Sequence, residues 1–114
     1  MEFLETSIFT KRITELISDS DYHLVQLELS VRPDSGDIIK GSGGIRKLRW
    51  AGSGRGKRGG IRVIYYFVSQ DNQVFMLYAY PKSKSDDLSQ QQIKQLKAVV
   101  QEYLLWNKTC LMNF

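Results

Sequence analysis

Apolar positions along the chain follow two spacings, and the switch between them marks its elements. Residues 1–5 fit a short strand. Across residues 7–18, Phe9, Ile13, Leu16 and Ile17 return at the spacing of one helix face, with Thr6 or Ser7 placed to cap it. Residues 21–32 satisfy both spacings. Leu27, Leu29 and Val31 alternate as in a strand, whereas Leu24, Leu27 and Val31 share a helix face. Ser20 and Asp21 can cap a helix there and Pro33 can end it, which favours helix. Residues 44–50, 60–68 and 73–80 read as strands. The middle one, containing IRVIYYFV, is almost wholly β-branched and aromatic, and residues 69–72 form the turn into the third. Ser89 and Gln92 have the spacing of a capping box, and Ile93, Leu96, Val100, Tyr103 and Leu104 carry a helix to about Trp106. The order β-α-α-β-β-β-α predicts an α+β fold with a largely antiparallel sheet.

With 114 residues, 42% hydrophobic and 25% charged, the chain suits one globular domain spanning 1–114. Cys110 is the single cysteine, which precludes an internal disulfide and fits a reducing compartment. No apolar run approaches the roughly 18 residues of a membrane span. The N-terminal MEFLETSIF carries acids where a signal peptide carries basic residues. The expectation is a cytoplasmic protein with no membrane contact. Net charge is +4, but its distribution says more. No acid occurs between Asp37 and Asp71. Lys40, Arg46, Lys47, Arg49, Arg55, Lys57, Arg58 and Arg62, half of the 16 basic residues, lie in that gap. Such a cluster attracts polyanions such as nucleic acid; it equally describes a solvated face balanced by acids elsewhere in the fold.

Within the gap, GSGRGKRGG at residues 52–60 contains Gly54, Gly56 and Gly59 in a G-x-G-x-x-G spacing. Neither nucleotide motif survives inspection. A P-loop would need glycine at Ala51 and a hydroxyl residue at Arg58, and both motifs need a helix to follow, where IRVIYYFV is a strand. The loop reads instead as a pliable cationic connection suited to a phosphate backbone, with a plain strand connection as the alternative. His23 and Cys110 are far apart and lack ligand spacing, so no metal and no cofactor are expected. His23 reads as a helix-surface or boundary residue, and Asp86 and Asp87 as acids favouring the N-terminus of the last helix. Arg62 shares a strand face with Ile64, Tyr66 and Val68; Ile45, Lys47 and Arg49 share another; Tyr80, Lys82 and Lys84 cluster past the third strand. In an antiparallel sheet these groups can converge on one concave face. Arg62 and Lys47 would be phosphate ligands there, Tyr80 a stacking or proton-shuttling phenol, and Lys82 and Lys84 a pair of ammonium groups.

The stretch IRKLRWAGSGRGKRGGIRVIYYFV, followed by VFMLYAYPKSKSDDLS, resembles the RelE/HigB toxin superfamily, and within it the HigB-like branch with its G-G-x-R-V-I-Y-Y and later K-x-x-x-x-D-L segments. The resemblance covers essentially the whole chain. It implies a twisted, mostly antiparallel sheet with two N-terminal helices and one C-terminal helix. It also implies a ribosome-dependent mRNA endonuclease that inhibits translation by cleaving mRNA in the ribosomal A site. The implied partners are a cognate helix-turn-helix antitoxin, the ribosome with its RNA, mRNA, and operator DNA reached through the antitoxin. Catalysis then falls on Arg62, Lys82, Lys84 and Tyr80, and RNA or phosphate contact on Lys47, Arg49, Arg55, Lys57 and Arg58. Mutual repulsion of clustered ammonium groups would let a lysine trade protons. Some members carry a tyrosine near the C-terminal helix; Ser89 to Gln92 offers none, and Tyr80 is the substitute. The alternatives are a ParE-like toxin that inhibits a protein target such as gyrase, and a plain nucleic-acid-binding domain.

Overall fold

The computed structural model describes residues 1–51, 60–83 and 87–112, with side chains through Leu105. A five-stranded sheet in the order β1-β5-β4-β3-β2 separates two layers of helix. Its strands are β1 (Glu2–Glu5), β2 (Asp37–Ile38), β3 (Arg46–Trp50), β4 (Ile61–Val68) and β5 (Gln73–Pro81); its helices are α1 (Ser7–Leu16), α2 (Asp19–Val31) and α3 (Gln90–Met112). The edge strand β1 runs parallel to β5, and the remaining pairings are antiparallel. The fold is therefore α+β with a mostly antiparallel sheet, two helices near its N-terminus and one near its C-terminus.

Local chemistry sets these elements. Thr6 caps α1: its hydroxyl accepts from the Phe9 N–H at 3.0 Å and donates to the Leu77 carbonyl at 2.8 Å. One side chain thus ends a helix and fastens it to the central hairpin. Ser18, rather than Ser20 or Asp21, caps α2 by accepting from the Asp21 N–H at 3.1 Å. Ser89 and Gln92 form the reciprocal capping box of α3. That helix runs past Trp106 to Met112. A single 3-10 turn over Ser69–Asp71 joins β4 to β5, closed by Asn72 in the left-handed region.

Two cores result. Phe9 and Ile13 of α1 and Val25 and Leu29 of α2 pack on Leu48, Val63, Tyr65, Val74, Met76 and Ala79. Val100 of α3 packs on Ile45, Ile64, Phe75 and Leu77 on the opposite face, with Leu96, Tyr103 and Leu104 against them. The helix expected over 21–32 forms over Asp19–Val31, but the other side of it is buried. Leu24, Leu27 and Val31 point to solvent, and Val25 and Leu29 enter the core. The helix lacks a clear apolar stripe, so packing on the sheet and not sequence pattern selects the buried side.

A register shift between Ile64 and Tyr65 decides which face the end of β5 presents. Ile64 pairs with Tyr78 and Tyr65 with Met76, which leaves Leu77 as an extra residue in β5. Strand parity reverses there. Val74 and Met76 face α1 and α2, but Tyr78 and Tyr80 join Phe75 and Leu77 on the α3 side.

Candidate nucleic-acid interface

Strand pairing brings Arg49, Arg62 and Tyr80 directly opposite one another, one from each of β3, β4 and β5. The next row along the same face is Lys47, Ile64 and Tyr78. Neighbouring strands lie about 4.8 Å apart, so the three cations occupy one small patch. Arg46, the remaining basic residue of β3, is removed from it by alternation. Its guanidinium turns to the other face and donates to the carbonyls of Asp34 and Gly36, at 3.2 and 2.7 Å. Arg46 holds the loop before β2 and is not available to a ligand on the α3 side.

Arg62 is only 4% exposed, with one guanidinium nitrogen donating to the Ile61 carbonyl at 3.2 Å. Arg49, opposite it, is exposed. Like charges placed directly opposite across a sheet oppose folding. An anion shared between them offsets that repulsion, so the row has the electrostatics of an anion site. Tyr80 is also buried, at 6% exposed, and its ring centroid lies 5.9 Å from that of Tyr78. Both tyrosines line a cleft of about 350 Å³ that also involves Arg12, Glu15, Leu16, Leu88 and Gln92. This cleft flanks the part of β5 beyond its pairing with β1, which ends at Met76.

The entry to β4 is held by a glycine that no other residue replaces easily. Gly60 has φ +57°, and a Cβ there would overlap the Trp50 carbonyl oxygen. Its carbonyl accepts from the Lys82 N–H at 3.1 Å. This pairing extends the β4–β5 ladder by one step and sets Lys82, whose side chain is exposed, just beyond the Arg62–Tyr80 row. Lys84, and the loop residues Arg55, Lys57 and Arg58, lie outside the described residues.

Sequence reading missed one participant. Asp87, expected only to favour the start of α3, instead accepts from the Lys47 ammonium at 2.6 Å. The physical reason is that Asp87, just ahead of α3, lies on the face to which β3 turns Lys47. The basic stretch therefore receives a counter-charge from 40 residues away in sequence. The hydrogen bond and charge of Lys47, with further help from Arg49 and Arg62, hold the Asp87 carboxyl below its ordinary range. Its place in the K-x-x-x-x-D-L segment was the available signal. Among the described residues, no group of His, Cys, Asp and Glu is arranged to hold a metal ion, and no helix is long and apolar enough to cross a membrane. His23 is exposed on α2.

Fold and face together define a class: a small α+β protein that clasps one sheet between helices and turns a basic cross-strand row to one side. Residues 5–114 match the family described as RelE toxin of RelE / RelB toxin-antitoxin system, and the chain belongs to that family. Solved relatives agree in fold at low sequence identity. One is a free-state mutant of the E. coli toxin RelE, with TM-score 0.54 and 12% identity over 75% of this chain and 86% of that one. Another is a chain of the intact E. coli RelBE toxin–antitoxin complex, with TM-score 0.52 and 16% identity over 68% of this chain and 92% of that one. The protein is a RelE-like toxin of a toxin–antitoxin system.

Proposed function

We propose that this toxin is a ribosome-dependent mRNA endonuclease, that it acts in the cytoplasm, and that a cognate helix-turn-helix antitoxin neutralises it. The observation that carries this reading is the Arg49–Arg62–Tyr80 row with Lys47 beside it. Cleavage by the 2′-hydroxyl of RNA requires that hydroxyl to lose its proton, negative charge to be stabilised on the non-bridging oxygens of the phosphorane, and the departing 5′-oxygen to gain a proton. Arg62 suits the second need. Its guanidinium stays charged, and its burial places it where a fixed charge acts strongly on a developing anion. Arg49 and Lys47 take the flanking phosphates. Lys82 or Lys84, with Tyr80, moves protons or orients the nucleotide. These are modest acid–base groups, and the ribosome compensates by holding the mRNA in place. Arg55, Lys57 and Arg58 meet ribosomal RNA, and operator DNA is reached through the antitoxin.

Primer extension on a defined mRNA tests this directly. Cuts at codon spacing in the presence of ribosomes, and none in their absence, are expected. Arg62→Ala should lose the cuts and growth inhibition by at least about 100-fold, as removal of a charge-stabilising donor does, while still binding antitoxin. DNA damage on expression with no mRNA cuts would point to a protein target of the gyrase type and defeat the proposal.

A further inference from the structure

The Lys47–Asp87 ion pair sits inside the basic face, not at its margin. Lys47 is held by β3, and its side chain is only 16% exposed; Asp87 lies just ahead of α3, and its side chain is 76% exposed. The carboxylate also lies within the field of Arg49 and Arg62. Three cations from two strands thus converge on one acid. A carboxylate at that point has the charge of a phosphodiester and the same kind of oxygen acceptors.

We infer that Asp87 is a resident stand-in for a nucleic-acid phosphate: it occupies Lys47 in the free protein and gives way when an RNA phosphodiester binds there. The inference rests on the reading of this face as an RNA interface. The asymmetry of exposure supports exchange. Asp87 is already largely hydrated, so its release to water costs little desolvation, and exposed ion pairs are held weakly. Lys47 is held by the sheet and stays where it is, so the incoming phosphate finds an ammonium already oriented. Until then the pair keeps Lys47 from attracting other anions. A charged acid in this place therefore weakens RNA binding by the amount of the competition.

The test is a double-mutant cycle on the full chain, read as affinity for a short 2′-O-methyl RNA, which cannot be cleaved. Asp87→Asn should tighten binding by about threefold to tenfold, in the lower part of the range of direct pairwise coupling. Asp71→Asn, which removes an exposed acid at the far turn between β4 and β5, should change it less than about twofold. In the Lys47→Met background the gain from Asp87→Asn should vanish. If that gain persists without Lys47, Asp87 acts only by general repulsion and the inference falls. If Asp87→Asn leaves binding unchanged or weakens it, Asp87 positions Lys47 and the inference again falls. If Lys47→Met itself leaves RNA binding unchanged, the reading of the whole face falls with it. Circular dichroism melts of each variant separate these outcomes from unfolding.

Discussion

At the scale of single residues, two arginines three positions apart on one strand have opposite roles. Arg46 and Arg49 belong to one strand, yet alternation turns Arg46 to backbone carbonyls and Arg49 to the basic row. Tyr65 and Tyr66 divide in the same way. Tyr65 is fully buried on the α1–α2 face, donates to the Pro33 carbonyl at 2.7 Å and accepts from the Gly36 N–H at 2.9 Å. A side chain on Gly36 would collide with its ring, so glycine is the residue that lets this loop lie against the phenol. Tyr65→Phe should cost about 1–3 kcal/mol, because one buried and one part-buried backbone group lose their partner. Chemical denaturation measures it. Burial pushes the Tyr65 phenol upward, and burial with the Glu5 carboxylate does the same for Tyr22. A phenol raised in the folded state contributes stability that is whole below the unfolded value near pH 10 and is lost as pH rises above it. Stability should therefore fall steeply in alkali, and the fall should be shallower in Tyr65→Phe.

At the scale of elements, periodicity made most of the fold legible, because helices and strands bury one side at different spacings. The elements α1, β4, β5 and α3 lie where Phe9, IRVIYYFV, residues 73–80 and the Ser89 capping box place them. Three things were hidden for physical reasons. The buried side of α2 depends on which face meets the sheet, and Leu24 and Val25 offer similar apolar payload. The extra residue at Leu77 leaves no mark on composition, yet without it Tyr80 would share the face of Met76. A sequence can thus name Tyr80 while giving no account of why it reaches Arg62. Asp87 was hidden because ion pairs across a fold have no sequence spacing. Thr6 offers a test of coupling between elements, since its hydroxyl serves α1 and β5 together. Thr6→Ala should cost about 1–2 kcal/mol, toward the upper end for an N-cap. Thr6→Ser, which keeps both hydrogen bonds, should recover most of it in thermal melts. Equal losses in the two variants would mean that the methyl packing of Thr6 matters more than its hydroxyl.

At the scale of the whole molecule, the basic residues are sorted by the sheet into separate tasks, and salt dependence reads the sorting. Arg46 is committed to the loop before β2, whereas Lys47, Arg49 and Arg62 share the α3 side. A polyanion that binds this side releases counterions in proportion to the phosphates neutralised, and the slope of log affinity against log salt counts them. Lys47→Gln and Arg49→Gln together should therefore reduce the slope for ribosome binding by about one to two, at roughly −0.7 to −0.9 per phosphate contact. The reduction should be smaller than two full contacts, because Asp87 already answers part of the Lys47 charge in the free protein. Arg55→Gln, Lys57→Gln and Arg58→Gln combined should lower the slope further and independently. These positions belong to the connection between β3 and β4 and not to the three-strand row. Lys40→Gln, in the exposed turn between β2 and β3, should leave the slope unchanged. Filter binding across a salt series gives all of these values. A slope that responds equally to Lys40 and to Lys47 would mean that the toxin meets the ribosome through its net charge of +4 rather than through an oriented face. The cross-strand row would then have no part in docking.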